Sequence, residues 1–154
     1  MAELDNMLAV IEGVTGNTTD TIYDLFFAEK RVIAAIVLHP SDLAELYRKL
    51  NPLSFLFGGG FESREVRRRS TKLIDERRRA FKHKALNEIL TMHKANMQIE
   101  YEDTISVTIK KGLLTTSLEF QVQKPPQKKI RFSLKRSQIA QAERVINVIP
   151  LMKS

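Results

Sequence analysis

The last third of the chain switches its hydrophobic period, and that switch constrains the fold more than any other feature. From Ile99 onward apolar residues alternate: Ile99 and Tyr101, then Ile105, Val107 and Ile109, with Glu100, Glu102, Ser106, Thr108 and Lys110 between them. A period of two belongs to a strand with one buried face. Asp103 interrupts the row, which predicts a bend between a short strand at 98–101 and a longer one at 104–111. Leu118, Phe120 and Val122 form a further run, stopped by Pro125-Pro126 because proline brings no donor to a ladder. Ile130, Phe132 and Leu134 form another. Such runs, joined by short polar turns, predict an antiparallel meander. Beyond them Ile139, Ala142, Val145, Ile146 and Ile149 recur at three and four, the stripe of a one-faced helix. Ser137 is placed to cap it and Pro150 to stop it. The stripe has to be buried, and the meander offers an apolar face.

The first part of the chain predicts three more strands, near 6–14, 20–28 and 31–38, with Gly16-Asn17 as a turn. In the second of them Ile22, Asp24 and Phe26 share one face, and Tyr23, Leu25 and Phe27 the other. Residues 32–38 are almost continuously apolar. Asp42 and Glu45 have the spacing of a capping box for a short helix to about Leu50, closed by Asn51-Pro52. Leu53, Phe55, Leu56 and Phe57 precede Gly58-Gly59-Gly60 and Phe61, an apolar segment with a hinge. Residues 62–95 lack glycine and proline, which predicts one long helix. Its stripe runs through Ile74, Phe81, Ala85, Ile89 and Met92 but meets Ser70 and Arg77 towards its start. The second half of this helix is therefore expected to pack on the body, and the first half to project into solvent or onto a partner.

Seven strands in two groups, closed by one amphipathic helix, is the order of a pleckstrin-homology-like (PH-like) barrel. Ile99-Glu100-Tyr101-Glu102-Asp103-Thr104-Ile105-Ser106-Val107-Thr108-Ile109-Lys110-Lys111-Gly112 resembles a pattern of prokaryotic PH-like domains, Ile-Pro-Tyr-x-Asp-Ile-x-Ser-Val-x-Ile followed by basic residues and glycine. Glu100 stands in place of the proline and Thr104 in place of an apolar residue. Phe27-Ala28-Glu29-Lys30-Arg31-Val32-Ile33 is similar to their Thr-x-Lys-Arg-Leu-Ile hairpin, with Ala28 for threonine. The resemblance implies a single α+β domain over residues 1–154. It would be a PH-like barrel of about seven antiparallel strands, with residues 41–96 inserted as a short and a long helix between the third and fourth. It also implies a binding or scaffold module without a catalytic set. The basic first hairpin loop through which eukaryotic relatives hold phosphoinositides has no counterpart in Thr15-Gly16-Asn17-Thr18-Thr19.

With no cysteine in 154 residues, disulfides and thiolate chemistry are excluded, and a cytoplasmic location is expected. Residues 22–38 form the longest apolar candidate, but Asp24, Glu29, Lys30 and Arg31 interrupt it, so no transmembrane helix is expected. Glu3 and Asp5 argue against a signal peptide. His39, His83 and His93 are too scattered for a metal set, and no metal or cofactor is expected. Glu100, Glu102 and Asp103 read as surface charge. Gly58-Gly59-Gly60 lacks the spacing of a phosphate loop, and no G-x-S-x-G elbow exists. The chain is not expected to be an enzyme or to take a small-molecule substrate.

What departs from an ordinary domain is the predicted helix. Between Glu62 and Lys84 stand ten basic residues, Arg64, Arg67, Arg68, Arg69, Lys72, Arg77, Arg78, Arg79, Lys82 and Lys84, against four acidic ones. The excess of +6 is nearly the whole chain's net charge of +7. One reading is an anion-binding surface, peripheral to a membrane or facing an acidic partner, since guanidinium forks suit phosphate. The other is a solvated helix neutralised by its own glutamates. A protein-interaction or homo-oligomerising role through Leu53, Phe55, Leu56, Phe57 and Phe61 together with the long helix stands beside them, as does weak nucleic-acid binding.

Overall fold

A computed structural model describes residues 6–16, 20–49, 60–123 and 127–150. Seven antiparallel strands are interrupted by helices after the third: β1 Met7–Gly16, β2 Ile22–Ala28, β3 Arg31–Leu38, α1 Pro40–Lys49, α2 Gly60–Phe81, α3 Leu86–Thr91 and β4 Met97–Glu100. There follow β5 Thr104–Lys111, β6 Thr116–Val122, β7 Lys128–Leu134 and α4 Ile139–Val148. The strand order is β4-β3-β2-β1-β7-β6-β5. The alternation read from residues 99–134 and the one-faced final helix are both present, close to their expected bounds.

The expected barrel is not closed by hydrogen bonds, because β4 and β5 are the two edges of the sheet. Yet only the 3-10 turn Tyr101–Asp103 separates them in the chain. Four residue steps span at most about 14 Å. The edges of a flat sheet of seven strands would lie roughly 29 Å apart. The sheet must roll, and Phe27 of β2 lies 6.5 Å from Phe120 of β6, although two strands separate them in the order. Tyr101 pins the corner, its hydroxyl donating to the Ala28 carbonyl at 2.8 Å and its N–H to that of Lys30 at 3.0 Å.

Two apolar cores result. The inner face (Ile11, Leu25, Phe27, Val32, Phe120 and Phe132 among others) closes on Ala142, Val145 and Ile149 at the α4 end. The outer face of β2 and β3, through Phe26, Ile33, Ala35 and Val37, is covered by Phe81 and Ile89. Strand β3 is thus buried on both faces, which is why residues 32–38 show no alternation. Among the described residues the sheet's two halves meet at two residue pairs, Thr15–Ser133 and Gly16–Phe132. Upstream of them no strand among the described residues pairs with β1 on that side, and Gln138 and Gln141, at the start of α4, supply donors instead. The Gln138 amide donates to the Glu12 carbonyl, and that of Gln141 to the Val10 carbonyl at 2.6 Å.

Three local expectations are corrected. The helix expected over 62–95 ends at Phe81 and resumes at Leu86. Uninterrupted, it would run about 50 Å, and the turn lets Phe81 and Ile89 share one sheet face instead. Gln138 rather than Ser137 stands before the first turn of the final helix, without a side-chain bond into it; its amide oxygen accepts the Lys135 N–H at 2.6 Å and closes the preceding 3-10 turn Arg136–Gln138. In α1 the reciprocal cap is made by His39 and Asp42: Asp42 accepts the His39 N–H at 2.8 Å, and the His39 ring accepts that of Ser41 at 3.1 Å.

Candidate functional site

Helix α2 lies against β3 with Ile74 and Phe81 turned to the sheet. At 3.6 residues per turn the opposite side is fixed by arithmetic. Arg64, Arg68, Lys72 and Arg79 follow one outward line, and all are exposed. Lys82, also exposed, flanks it, with Glu65, Asp75 and Glu76 as the acidic members of this side, whereas Arg67, exposed as well, falls on the line of Ile74 and Phe81. Glu65 forks to Arg68 at 2.6 Å and Arg69 at 2.9 Å, and these two hydrogen bonds hold its carboxyl at about 2. Among the described residues Arg64, Arg67, Lys72, Arg79 and Lys82 have no ion-pair partner. The first half of the helix does not simply project, since Val66 and Ser70 are buried.

The second arginine triplet is divided. Arg77 turns inward, donating to the Val37 carbonyl at 2.9 Å and to both Asp42 oxygens at 2.7 and 3.0 Å. These bonds hold the Asp42 carboxyl below its ordinary range and tie α1, α2 and β3 together. Arg78 reaches Asp24 with Nε and Nη2, both at 2.8 Å. Asp24 is buried because β1 bulges: Glu12 and Gly13 together oppose it, between the pairs Ile11–Leu25 and Val14–Tyr23. Gly13, at φ +76°, donates its N–H to Asp24 at 2.9 Å. Arg77 and Arg78 therefore leave the candidate anion-binding set, because both are engaged in holding α2 to the body. Arg79, the next residue, faces out.

A cleft of about 460 Å³ opens beside that ion pair, where the turn after Phe81 leaves the sheet uncovered. Val10, Phe26, Phe81 and Leu86 give it apolar walls, with Lys82 and Lys84 at its rim. It can seat an apolar group. Among the described residues no three of His, Cys, Asp and Glu gather as a metal set. His39 and His93, 54 positions apart, do come together with ring centroids 5.5 Å apart. Burial and the neighbouring His39 and Arg77 push the His93 imidazole below its usual range.

On the far side of the sheet Glu119 is enclosed by Lys110 at 3.1 Å and by Arg131. Burial would raise its carboxyl, but the hydrogen bonds from Lys110 and Arg131 outweigh that and hold it low. Leu53, Phe55, Leu56 and Phe57 lie outside the described residues, and of Phe61 only its backbone place in α2 is described. What the sequence reading overlooked is Leu113 and Leu114, fully exposed at the β5–β6 turn. Two adjacent leucines between Gly112 and Thr115 were the available signal, an apolar pair in a turn. No helix among the described residues is long and apolar enough to cross a membrane. The chain matches no protein-family model, no curated protein and no solved structure.

Proposed function

We propose that the chain is a non-catalytic binding module with a PH-like body that docks on an anionic phospholipid surface through the outward line of α2. The strand order, the roll of the sheet and the final helix seated in it support the PH-like reading. The observation that carries the function is that Arg64, Lys72 and Arg79, with Lys82 beside them, are exposed and without ion-pair partners among the described residues. Each such residue contributes on the order of 1 kcal/mol near an anionic leaflet. Together they give weak, salt-sensitive attachment. Single-stranded nucleic acid is less well served, because among the described residues every phenylalanine is buried, which leaves Tyr47 as the exposed aromatic side chain.

The test is co-sedimentation with phosphatidylcholine vesicles, with and without phosphatidylglycerol, at low and near-physiological salt. Binding confined to the anionic vesicles, weakened by salt and abolished by the combined Arg64→Ala, Arg68→Ala, Lys72→Ala, Arg79→Ala variant, is expected. Wild-type protein that stays in the supernatant at low salt overturns the proposal. A salt-dependent mobility shift of duplex DNA without vesicle binding would assign the line to nucleic acid instead. A solution mass above 17.7 kDa with neither would favour self-association.

A further inference from the structure

We propose that the β5–β6 turn is a wedge that inserts into the headgroup region of an anionic bilayer. It uses a different element from α2 and its own cations, and shares with that reading only the class of surface. Leu113 and Leu114 are the most exposed large apolar residues described, and both protrude fully from the fold. They do so from a rigid base. Seven residue pairs join β5 to β6, and the Gly112 N–H donates to the Thr115 carbonyl at 2.8 Å. A Cβ at Gly112 would come within 2.8 Å of that same carbonyl oxygen, so the turn requires glycine there.

The surroundings are cationic. Lys111 precedes the turn, paired only distantly with Glu143 at 3.9 Å. Thr116 pairs with Leu134, which sets exposed Arg136 near the base of the turn, while the Lys135 ammonium lies by Gly13 of β1. Apolar residues at an apex with a basic collar match the order met on approaching a bilayer, headgroup charge first and acyl chain beneath. A protein partner fits less well. Stable interfaces bury about 800 Å² on each side, and two leucines on a projecting turn are far short of that.

The chain contains no tryptophan, so Leu114→Trp places a single reporter at the apex. With vesicles containing phosphatidylglycerol, its emission should move to the blue and be quenched by brominated acyl chains. Leu113→Ser with Leu114→Ser should weaken vesicle partitioning about tenfold or more, with unchanged far-ultraviolet circular dichroism. An unshifted, unquenched indole, or serine variants that partition like wild type, overturns the wedge. So does a fall in solution mass on the serine changes without any loss of partitioning, which would assign the turn to a second copy. The α2 variant separates the two readings: loss of binding there with the serine variant intact refutes the wedge alone, and the converse refutes the α2 line alone.

Discussion

Arg77, Arg78 and Arg79 are chemically one motif, and replacing each by methionine should give unequal results. Methionine keeps the aliphatic length and a similar helix propensity, so Arg78→Met chiefly removes the guanidinium. Asp24, 1% exposed, then retains only the Gly13 N–H of the three bonds it accepts. Breaking a buried pair by deleting one partner costs about 3–5 kcal/mol. The Arg78 side chain is 27% exposed and water reaches it, so the lower end applies, about 3 kcal/mol. For a chain of this length that corresponds to a fall in Tm of about 6–12 °C. Arg79→Met, on the outward line, should stay within about 0.5 kcal/mol of wild type. Pairing Arg78→Met with Asp24→Leu should recover most of the loss, because the orphaned carboxylate goes too, leaving about 1 kcal/mol for the unpaired Gly13 N–H. Urea unfolding followed by circular dichroism measures wild type, the two arginine variants, Asp24→Leu alone and the double variant. Equal stability of the two single arginine variants, or a double variant as unstable as the sum of its parts, would refute the assigned geometry.

The remaining predictions concern the same frame. Gly13→Ala has room, with its nearest neighbour at 3.6 Å, but at φ +76° it should lose about 1–2 kcal/mol in urea melts, and Gly13→Asn less. Gln138→Leu leaves the Glu12 carbonyl and the Lys135 N–H without partners and should cost about 1–3 kcal/mol, while Ser137→Ala, at the cap expected from sequence, should be near neutral. His93 titrates below its unfolded value, facing His39, Arg77, Asp42 and Lys94. The unfolded chain therefore binds its proton first. Its contribution is fully present above about pH 6.5 and is lost as pH falls towards the folded value. His93→Gln should flatten the stability profile in that window.

The sequence disclosed whatever depends on neighbours two to four residues away. Alternation located β2, β4, β5, β6 and β7, continuous apolar runs located β1 and β3, and the pattern even set Asp24 on the face of Ile22 and Phe26, although nothing local showed that an acid there needed a cation. Its partner lies 54 positions on, in a triplet whose members look alike until a sheet surface separates them. The break after Phe81 carries no glycine or proline, since its cause is the extent of the sheet beneath it. Leu113 and Leu114 were passed over because only a folded hairpin shows that nothing covers them. The cap expected of Ser137 has no side-chain counterpart at the helix start, and Gln138 there serves the Lys135 N–H and the Glu12 carbonyl of β1 instead.

The three-residue corner at Tyr101–Asp103 also bears on whether copies can add strand to strand. Growth by strand addition needs one free edge to accept an incoming chain and another to offer to the next. Here both edges leave the same corner, so at that end a neighbour laid against β4 would run into β5 of the same copy. With β4 only four residues long and β5 ending in Lys110-Lys111, the roll works as a steric stop on stacking copies edge to edge.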